Sequence, residues 1–294
     1  MAQHPLLDSP DWESYRLLDS GNGRKLERFG AYTFDRPEVN AIWKPALPAQ
    51  QWQAADASYH PAQRGGGGKW TFQAQIEKRY PLAYKDLHFW VEVTESRHLG
   101  VFPENAAHWD WIGQQIETAG REVNVLNLFG YSGLASVAAA QAGASVTHVD
   151  ASKRAVRLAS ENLALSGLED APVRWIVDDA LKFTQREARR GIAYDGIAMD
   201  PPKYGLGPDK QRWEFDKLFP ELCRACRDVL SERPLFVVVT AYGLGEPPEA
   251  LRPPLEAMLH RLGGTLETGE LVTREKSAGR ILPNAIFARW EAGA

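Results

Sequence analysis

Four short stretches of this 294-residue chain place small, acidic and aromatic residues at spacings that suit chemistry on a nucleoside. The first, Phe129-Gly130-Tyr131-Ser132-Gly133, pairs two glycines three positions apart, so the backbone can turn tightly and offer free amide donors at a helix start. The second is Asp150-Ala151-Ser152, whose carboxylate follows Gly130 by the interval at which an acidic side chain accepts both hydroxyl hydrogens of a ribose. In the third, Asp178-Asp179-Ala180, Asp179 is read as the partner of an adenine amino group, Ala180 leaves room for the ring, and Asp178 is solvated or capping. The fourth, Asp200-Pro201-Pro202-Lys203-Tyr204, removes two amide donors, forbids helix, and turns carbonyls and a carboxylate outward beside an aromatic ring. Acceptors next to a stacking ring suit a planar substrate with a nitrogen to be held. Each stretch has a bland reading as a packing glycine, a helix cap or a rigid turn, and Lys203 serves equally well as a phosphate contact or as a solvated charge.

The elements that must hold these residues follow from periodicity. Val123 to Leu128, Ser145 to Asp150, Val173 to Val177, Gly196 to Asp200 and Leu235 to Thr240 are short apolar runs of strand type, and Gly133 to Gln141 and Lys153 to Ser166 read as helices between them. Strict alternation implies a doubly wound, mostly parallel sheet of Rossmann-like type, which binds ligands at the carboxyl ends of its strands. All four stretches fall there. Pro103 to Ala119 reads as a preceding helix with Trp109, Ile112 and Ile116 on one face, and Thr265 to Val272 with Ile281 to Trp290 as a closing antiparallel hairpin. Upstream, Tyr15 to Trp43 has the punctuation of successive β-hairpins, Pro45 to Lys69 with its four-glycine run reads as a flexible loop, and Leu87 to Thr94 alternates like a strand. The expected organisation is a small β-rich module over residues 1–80 and a catalytic domain over residues 81–294.

Composition narrows the classes. A net charge of −4 argues against a protein that coats nucleic acid by bulk electrostatics, and residues 1–80 carry 10 basic against 9 acidic residues, leaving the acidic excess beyond them. Nucleic-acid contact is therefore expected to be local, and Arg24, Lys25, Arg28 and Arg36, interleaved with Phe29, Tyr32 and Phe34, are its candidates; the bland alternative makes the rings that module's own core. Cys223 and Cys226 are too few for a disulfide framework or a structural zinc site and fit packing thiols in a reducing, cytoplasmic setting. No metal, signal peptide or membrane span is expected.

Residues 97–290 resemble class I S-adenosylmethionine-dependent methyltransferases, and within them the bacterial 23S ribosomal RNA methyltransferase group with a DPPKF or DPPKY motif. The matches are Asn127 to Gly133 (NLFGYSG), Val149 to Ser152 (VDAS), Ala159 to Leu168 (ASENLALSGL), Asp178 to Ala180 (DDA) and Met199 to Gly205 (MDPPKYG). The resemblance implies cofactor contacts for Phe102, Phe129, Gly130, Tyr131, Ser132, Gly133, Asp150, Asp179 and Asp200, with Ala151, Ser152 and Ala180 beside them, and RNA as the substrate. A nicotinamide reading would require Gly-x-Gly-x-x-Gly, whereas only Gly130 and Gly133 are present. Relatives that methylate cytosine C5 need a nucleophilic cysteine, and Thr240-Ala241-Tyr242 stands where a Ser-Cys-Ser stretch is expected. The expected chemistry is direct transfer to a base nitrogen, with Asp200 and the Pro201 carbonyl as acceptors, Pro202 fixing the turn, and Lys203 and Tyr204 on the substrate. A protein or small-molecule methyltransferase, a nicotinamide oxidoreductase and a silent RNA-binding module remain alternatives.

Overall fold

The computed structural model describes residues 4–10, 12–62 and 67–293. Its contacts divide the chain into two compact units: one holds residues up to Leu7, Ala107–Glu270 and those from Ala285, and the other holds Asp8–Ala106 with Leu271–Asn284. The sequence suggested a division at residue 80; by contact the chain parts after residue 106, and a second, distant segment joins the N-terminal strands.

In chain order the first elements are β1 (Leu6–Asp8), β2 (Tyr15–Gly21), β3 (Arg24–Phe29), β4 (Tyr32–Pro37), α1 (Ala49–Gln53), β5 (Ala57–Pro61), β6 (Gly68–Phe72), β7 (Arg79–Tyr84) and β8 (Leu87–Glu92). Strands β2 to β6 form one sheet in sequence order, and β7 pairs β8 in a separate ribbon. The hairpins turn at Asn22-Gly23 and Gly30-Ala31, as the punctuation implied. The flexible loop expected over Pro45 to Lys69 is corrected: α1, β5 and the start of β6 lie in it, with the Leu47 amide and the Trp52 indole donating to Asp19 at 2.9 and 3.0 Å. The apolar run Ala57-Ser58-Tyr59 is too short to announce a strand, and pairing with β4 and β6 supplies what local propensity does not. Residues 63–66, which include the first two glycines of the four-glycine run, lie outside the described residues.

The aromatic residues of this unit pack on one another. Phe29 and Phe34 are fully buried, and Tyr15 and Phe29 meet at 4.9 Å between ring centroids. Three of the four basic residues proposed for RNA are occupied: Arg24 bridges Asp35 at 2.6 Å, Lys25 lies 3.5 Å from Glu27, and Arg36 bridges the fully buried Glu27 at 2.6 Å. The rings thus form the module's own core and three of the four charges pair with its carboxylates, the fully buried Glu27 among them, which favours the bland alternative of the two readings.

The larger unit starts with α2 (Ala106–Ala119), which buries Trp109, Ile112 and Ile116. It continues with β9 (Asn124–Leu128), α3 (Leu134–Gln141), β10 (Ser145–Asp150), α4 (Lys153–Leu165), β11 (Val173–Val177), α5 (Ala180–Arg189) and β12 (Gly196–Met199). A short hairpin, β13 (Tyr204–Leu206) with β14 (Arg212–Glu214), precedes α6 (Phe215–Arg227), β15 (Phe236–Ala241), α7 (Arg252–Leu259), β16 (Thr265–Arg274) and β17 (Ile281–Glu291). Strand order is β1-β16-β17-β15-β12-β9-β10-β11. The five strands from β15 to β11 are parallel, and β17 runs antiparallel to β15. The doubly wound, mostly parallel sheet with a C-terminal hairpin is thus the observed architecture. Strands β12 and β15 are buried along their whole length, which is why they read as unbroken apolar runs rather than alternating ones. Because β9 sits between β10 and β12, the direction of winding reverses at its carboxyl end, where a crevice opens. Among the described residues no helix is long and apolar enough to cross a membrane.

Candidate active site

The segment leaving β9 enters that crevice in an unusual conformation. Phe129, Tyr131 and Gly133 all take left-handed backbone angles, with φ of 54°, 46° and 79°. For a bulky aromatic residue this is costly and persists only where neighbours enforce it. They do so at three points. The Tyr131 amide donates to Asp150 Oδ2 at 2.9 Å, the Gly133 amide to the Gly130 carbonyl at 2.8 Å, and the Asn162 side-chain amide to the Ser132 carbonyl at 2.8 Å. Asn162 is fully buried in α4, inside the stretch that carried the family resemblance, but its hold on the loop was not read from sequence. A Cβ on Gly133 would collide with the Ala159 Cβ of the same helix.

Asp150 ends β10 with its other oxygen, Oδ1, accepting the Ser152 amide at 2.8 Å. Burial pushes its carboxyl above the ordinary range, while the Ser152 and Tyr131 amides pull it back. Each carboxylate oxygen therefore spends one acceptor site on the backbone and keeps another, enough for the two hydroxyls of a ribose. Half-buried Ala151 follows, and Ser152 caps α4 by accepting the Ala155 amide at 3.2 Å.

Both aspartates after β11 are engaged locally. Asp179 caps α5, its Oδ1 accepting the Lys182 amide at 2.9 Å, whereas Asp178 pairs with Arg186 and accepts the Asp179 amide. Capping was expected of Asp178, but the helix starts one residue later than that reading required. Asp179 Oδ2 faces Gly207 in the β13–β14 turn, so close that a Cβ there would lie 3.2 Å away. Ala180 is buried against the core.

At the end of β12 the Asp200 amide donates to the Leu128 carbonyl at 3.2 Å, which fastens the fourth stretch to the first. Pro201 is buried, and the turn leads directly into β13 with Tyr204 68% exposed, the ring uncovered for a planar partner. Not every carbonyl faces outward as expected. That of Pro202 accepts the Trp213 indole N–H at 2.6 Å, and that of Lys203 accepts the Phe215 amide at 3.0 Å. Lys203 is half-buried, and its Nζ donates to the Leu244 carbonyl at 2.9 Å. Trp213, 4% exposed, also meets Phe129 edge-on at 4.8 Å and so joins the glycine loop to the proline turn. The sequence reading missed it. The available signal was one large aromatic residue in the charged stretch Asp209 to Glu214, which suits a strand with a single buried side chain.

Gly130, Tyr131, Ser132, Gly133, Asp150, Ala151, Ser152, Asp179, Asp200 and Tyr204 thus gather at the carboxyl ends of neighbouring strands. Phe102 belongs to the other unit, where its ring lies 5.2 Å from that of His98. Cys223 and Cys226 are buried in α6, and burial pushes the Cys223 thiol up to about 12 and that of Cys226 well above its usual range, so neither supplies a thiolate. Among the described residues no cluster of three His, Cys, Asp or Glu side chains is placed to hold a metal.

With this geometry established, the chain can be compared with known proteins. The family described as Conserved hypothetical protein 95 matches residues 105–210. A solved S-adenosylmethionine-dependent methyltransferase from Agrobacterium tumefaciens is 44% identical, with a TM-score of 0.93 over 98% of this chain and 93% of that one. Ribosomal RNA large subunit methyltransferase I of Shewanella denitrificans is 39% identical over 82 residues, 28% of this chain and 21% of the relative. Ribosomal RNA large subunit methyltransferase K/L of Desulfotalea psychrophila is 31% identical over 140 residues, 47% of this chain and 18% of the relative. The chain thus spans only about a fifth of the length of these ribosomal RNA methyltransferases.

Proposed function

The chain belongs to the S-adenosylmethionine-dependent methyltransferase family, and we propose that it transfers the methyl group directly to a base nitrogen of RNA, with ribosomal RNA the first candidate. Membership removes the nicotinamide oxidoreductase from consideration. S-adenosylmethionine supplies an electrophilic sulfonium methyl and a neutral thioether leaving group. The protein's work is then chiefly positioning.

In this reading the Phe129–Gly133 loop takes the amino-acid end of the cofactor, Asp150 accepts from its ribose with Ala151 and Ser152 alongside, and Asp179 with Ala180 borders the adenine. The cradle suits the cofactor because Asp150 retains acceptor capacity and the loop is turned by residues locked in left-handed backbone. Asp200 and the Pro201 carbonyl accept from the acceptor nitrogen as positive charge develops on it, and Tyr204 stacks on the base and excludes water. The single observation that carries an RNA base is the exposed Tyr204 ring four residues beyond Asp200, on a turn made rigid by Pro201 and Pro202. The activities by which the ribosomal RNA relatives are named support it. The two unpaired cysteines support a cytoplasmic setting. Incubation with tritiated S-adenosylmethionine and either total RNA or total protein tests the reading. Label in RNA is the expected result, and label in protein alone would replace it with a protein methyltransferase.

A further inference from the structure

Beneath the glycine loop lies a buried polar chain that the mechanism does not use. Asn127 on β9 donates from its side-chain amide to Ser136 Oγ on α3 at 2.8 Å, and Ser136 Oγ lies 3.0 Å from His148 Nδ1 on β10. All three residues are 4% exposed or less. Burial pushes the imidazole down to about 3, so it is neutral, and Ser136 engages its Nδ1, leaving the other ring nitrogen, Nε2. That nitrogen is buried without a hydrogen-bond partner. A buried ring nitrogen left unpaired costs stability that an apolar side chain would not, so the imidazole is held here for what it touches. Its ring packs against Trp175 on one side, with centroids 5.0 Å apart, and against Gly130 on another. A Cβ at residue 130 would stand 2.5 Å from His148 Nδ1 and nearer still to Cε1, but 3.1 Å from the Asn127 side-chain nitrogen. Gly130 itself does not have a left-handed backbone, unlike its neighbours Phe129 and Tyr131. Alanine at this position is opposed by the imidazole and not by its own φ.

We propose that His148 is a positioning residue for methyl transfer: its imidazole, oriented by Ser136 and Asn127, is the floor on which the cofactor loop rests. The missing side chain at Gly130 answers to that floor below and not to a ligand above. By setting the height of Gly130, His148 sets where the Tyr131 amide meets Asp150. This rests on the reading that Phe129–Gly133 carries S-adenosylmethionine.

The two explanations of Gly130 separate in a four-protein cycle of wild type, Gly130→Ala, His148→Ala and the double variant, each titrated with S-adenosylmethionine by calorimetry and melted thermally. Gly130→Ala alone should weaken binding by about tenfold or more, the scale of one misplaced charged hydrogen bond. In the His148→Ala background the same change should alter affinity by less than about threefold, since the remaining neighbour, the Asn127 side-chain nitrogen at 3.1 Å, has only to give slightly. Equal losses in both backgrounds would overturn the proposal and return Gly130 to the ligand. Should His148→Ala fail to fold, His148→Asn replaces it; the shorter side chain clears the space while keeping a polar partner for Ser136, and the same rescue is required. A wild-type protein that does not bind S-adenosylmethionine would overturn the underlying reading instead. The melting temperatures of the cycle would then still report whether a methyl group at position 130 clashes with the His148 imidazole.

Discussion

Trp213 donates its indole N–H to the Pro202 carbonyl at 2.6 Å, and the same ring meets Phe129 at 4.8 Å. One side chain thereby fixes the acceptor turn relative to the cofactor loop. Trp213→Phe keeps a buried ring and removes the donor, leaving a carbonyl unpaired at a cost of about 1 to 3 kcal/mol. Turnover should fall by about tenfold while affinity for S-adenosylmethionine stays within about threefold, because a barrier rise of about 1.4 kcal/mol is tenfold in rate. Unchanged turnover in a filter-binding transfer assay would show that the turn needs no such anchor.

Asp150→Ala should weaken S-adenosylmethionine binding by about 10- to 200-fold, the loss of charged hydrogen bonds worth roughly 1.5 to 3 kcal/mol. The Tyr131 amide loses its acceptor at the same time. Asp150→Asn separates the contributions, since it can still accept from one amide. Calorimetry that found a folded Asp150→Ala variant binding normally would remove this residue from the site.

At the acceptor end, Asp200→Ala should cut turnover by about 10²-fold or more with cofactor binding largely intact. Tyr204→Phe should keep most activity and Tyr204→Ala should lose about 1 to 3 kcal/mol of stacking. Equal inactivity of the two tyrosine variants would assign the hydroxyl an acid-base part. Equal full activity would argue against a stacked base.

The N-terminal sheet makes a different kind of prediction. Burial pushes the Glu27 carboxyl up, but Arg36 and Lys25 outweigh it and hold it below its ordinary range. Arg36→Ala strands that carboxylate, and breaking a buried pair costs roughly 3 to 5 kcal/mol; Lys25, 3.5 Å away, keeps the loss near the lower end. A drop in melting temperature is expected. A stable variant with weakened RNA affinity would restore the RNA-holding role.

Stability should also fall on mild acidification. Burial pushes His148 and the half-buried His98 down to about 3, and His108 well below its usual range, with Arg289 adding to the effect at His108. Unfolded histidine titrates near 6.5, so between about pH 6.5 and 3 the unfolded chain binds more protons and stability rises with pH. The full value is present above about pH 6.5, and each unit below it costs about 1.4 kcal/mol per fully buried histidine. Carboxylates with lowered values, such as Glu27 and Glu187, act only below about 4.5. Urea midpoints at pH 7.5 and 5.5 check the slope, and His148→Gln should reduce it.

Most of the larger unit was legible in the sequence because its central strands β12 and β15 are buried along their whole length. Runs such as Phe236–Ala241 admit no amphipathic alternative, and their regular alternation with helices leaves one class of sheet. The site was legible as a set of strand ends for the same reason. What escaped depended on contacts between distant residues. Trp213 and Asn162 matter through a carbonyl each of them finds, and nothing local tells which carbonyl that is. The parts of Asp178 and Asp179 turned on a one-residue difference in where α5 starts, which periodicity does not resolve. Arg24, Lys25 and Arg36 looked like a binding face because Asp35, Glu38 and Glu27, their respective acidic partners, lie across a turn in the sequence.

The two-segment make-up of the smaller unit has a consequence for how the chain is made. Ser20 donates to Glu275, 255 positions later in the sequence, the Lys276 and Ser277 amides donate to the Leu17 and Leu18 carbonyls, and Asp19, fully buried, pairs with Arg280 at 3.1 Å. As the polypeptide leaves the ribosome, residues 8–106 emerge with a carboxylate whose cation has not yet been synthesised and with backbone carbonyls whose donors are still to come. Residues 8–106 are translated well before Leu271–Asn284, so their completion waits on the whole intervening sequence.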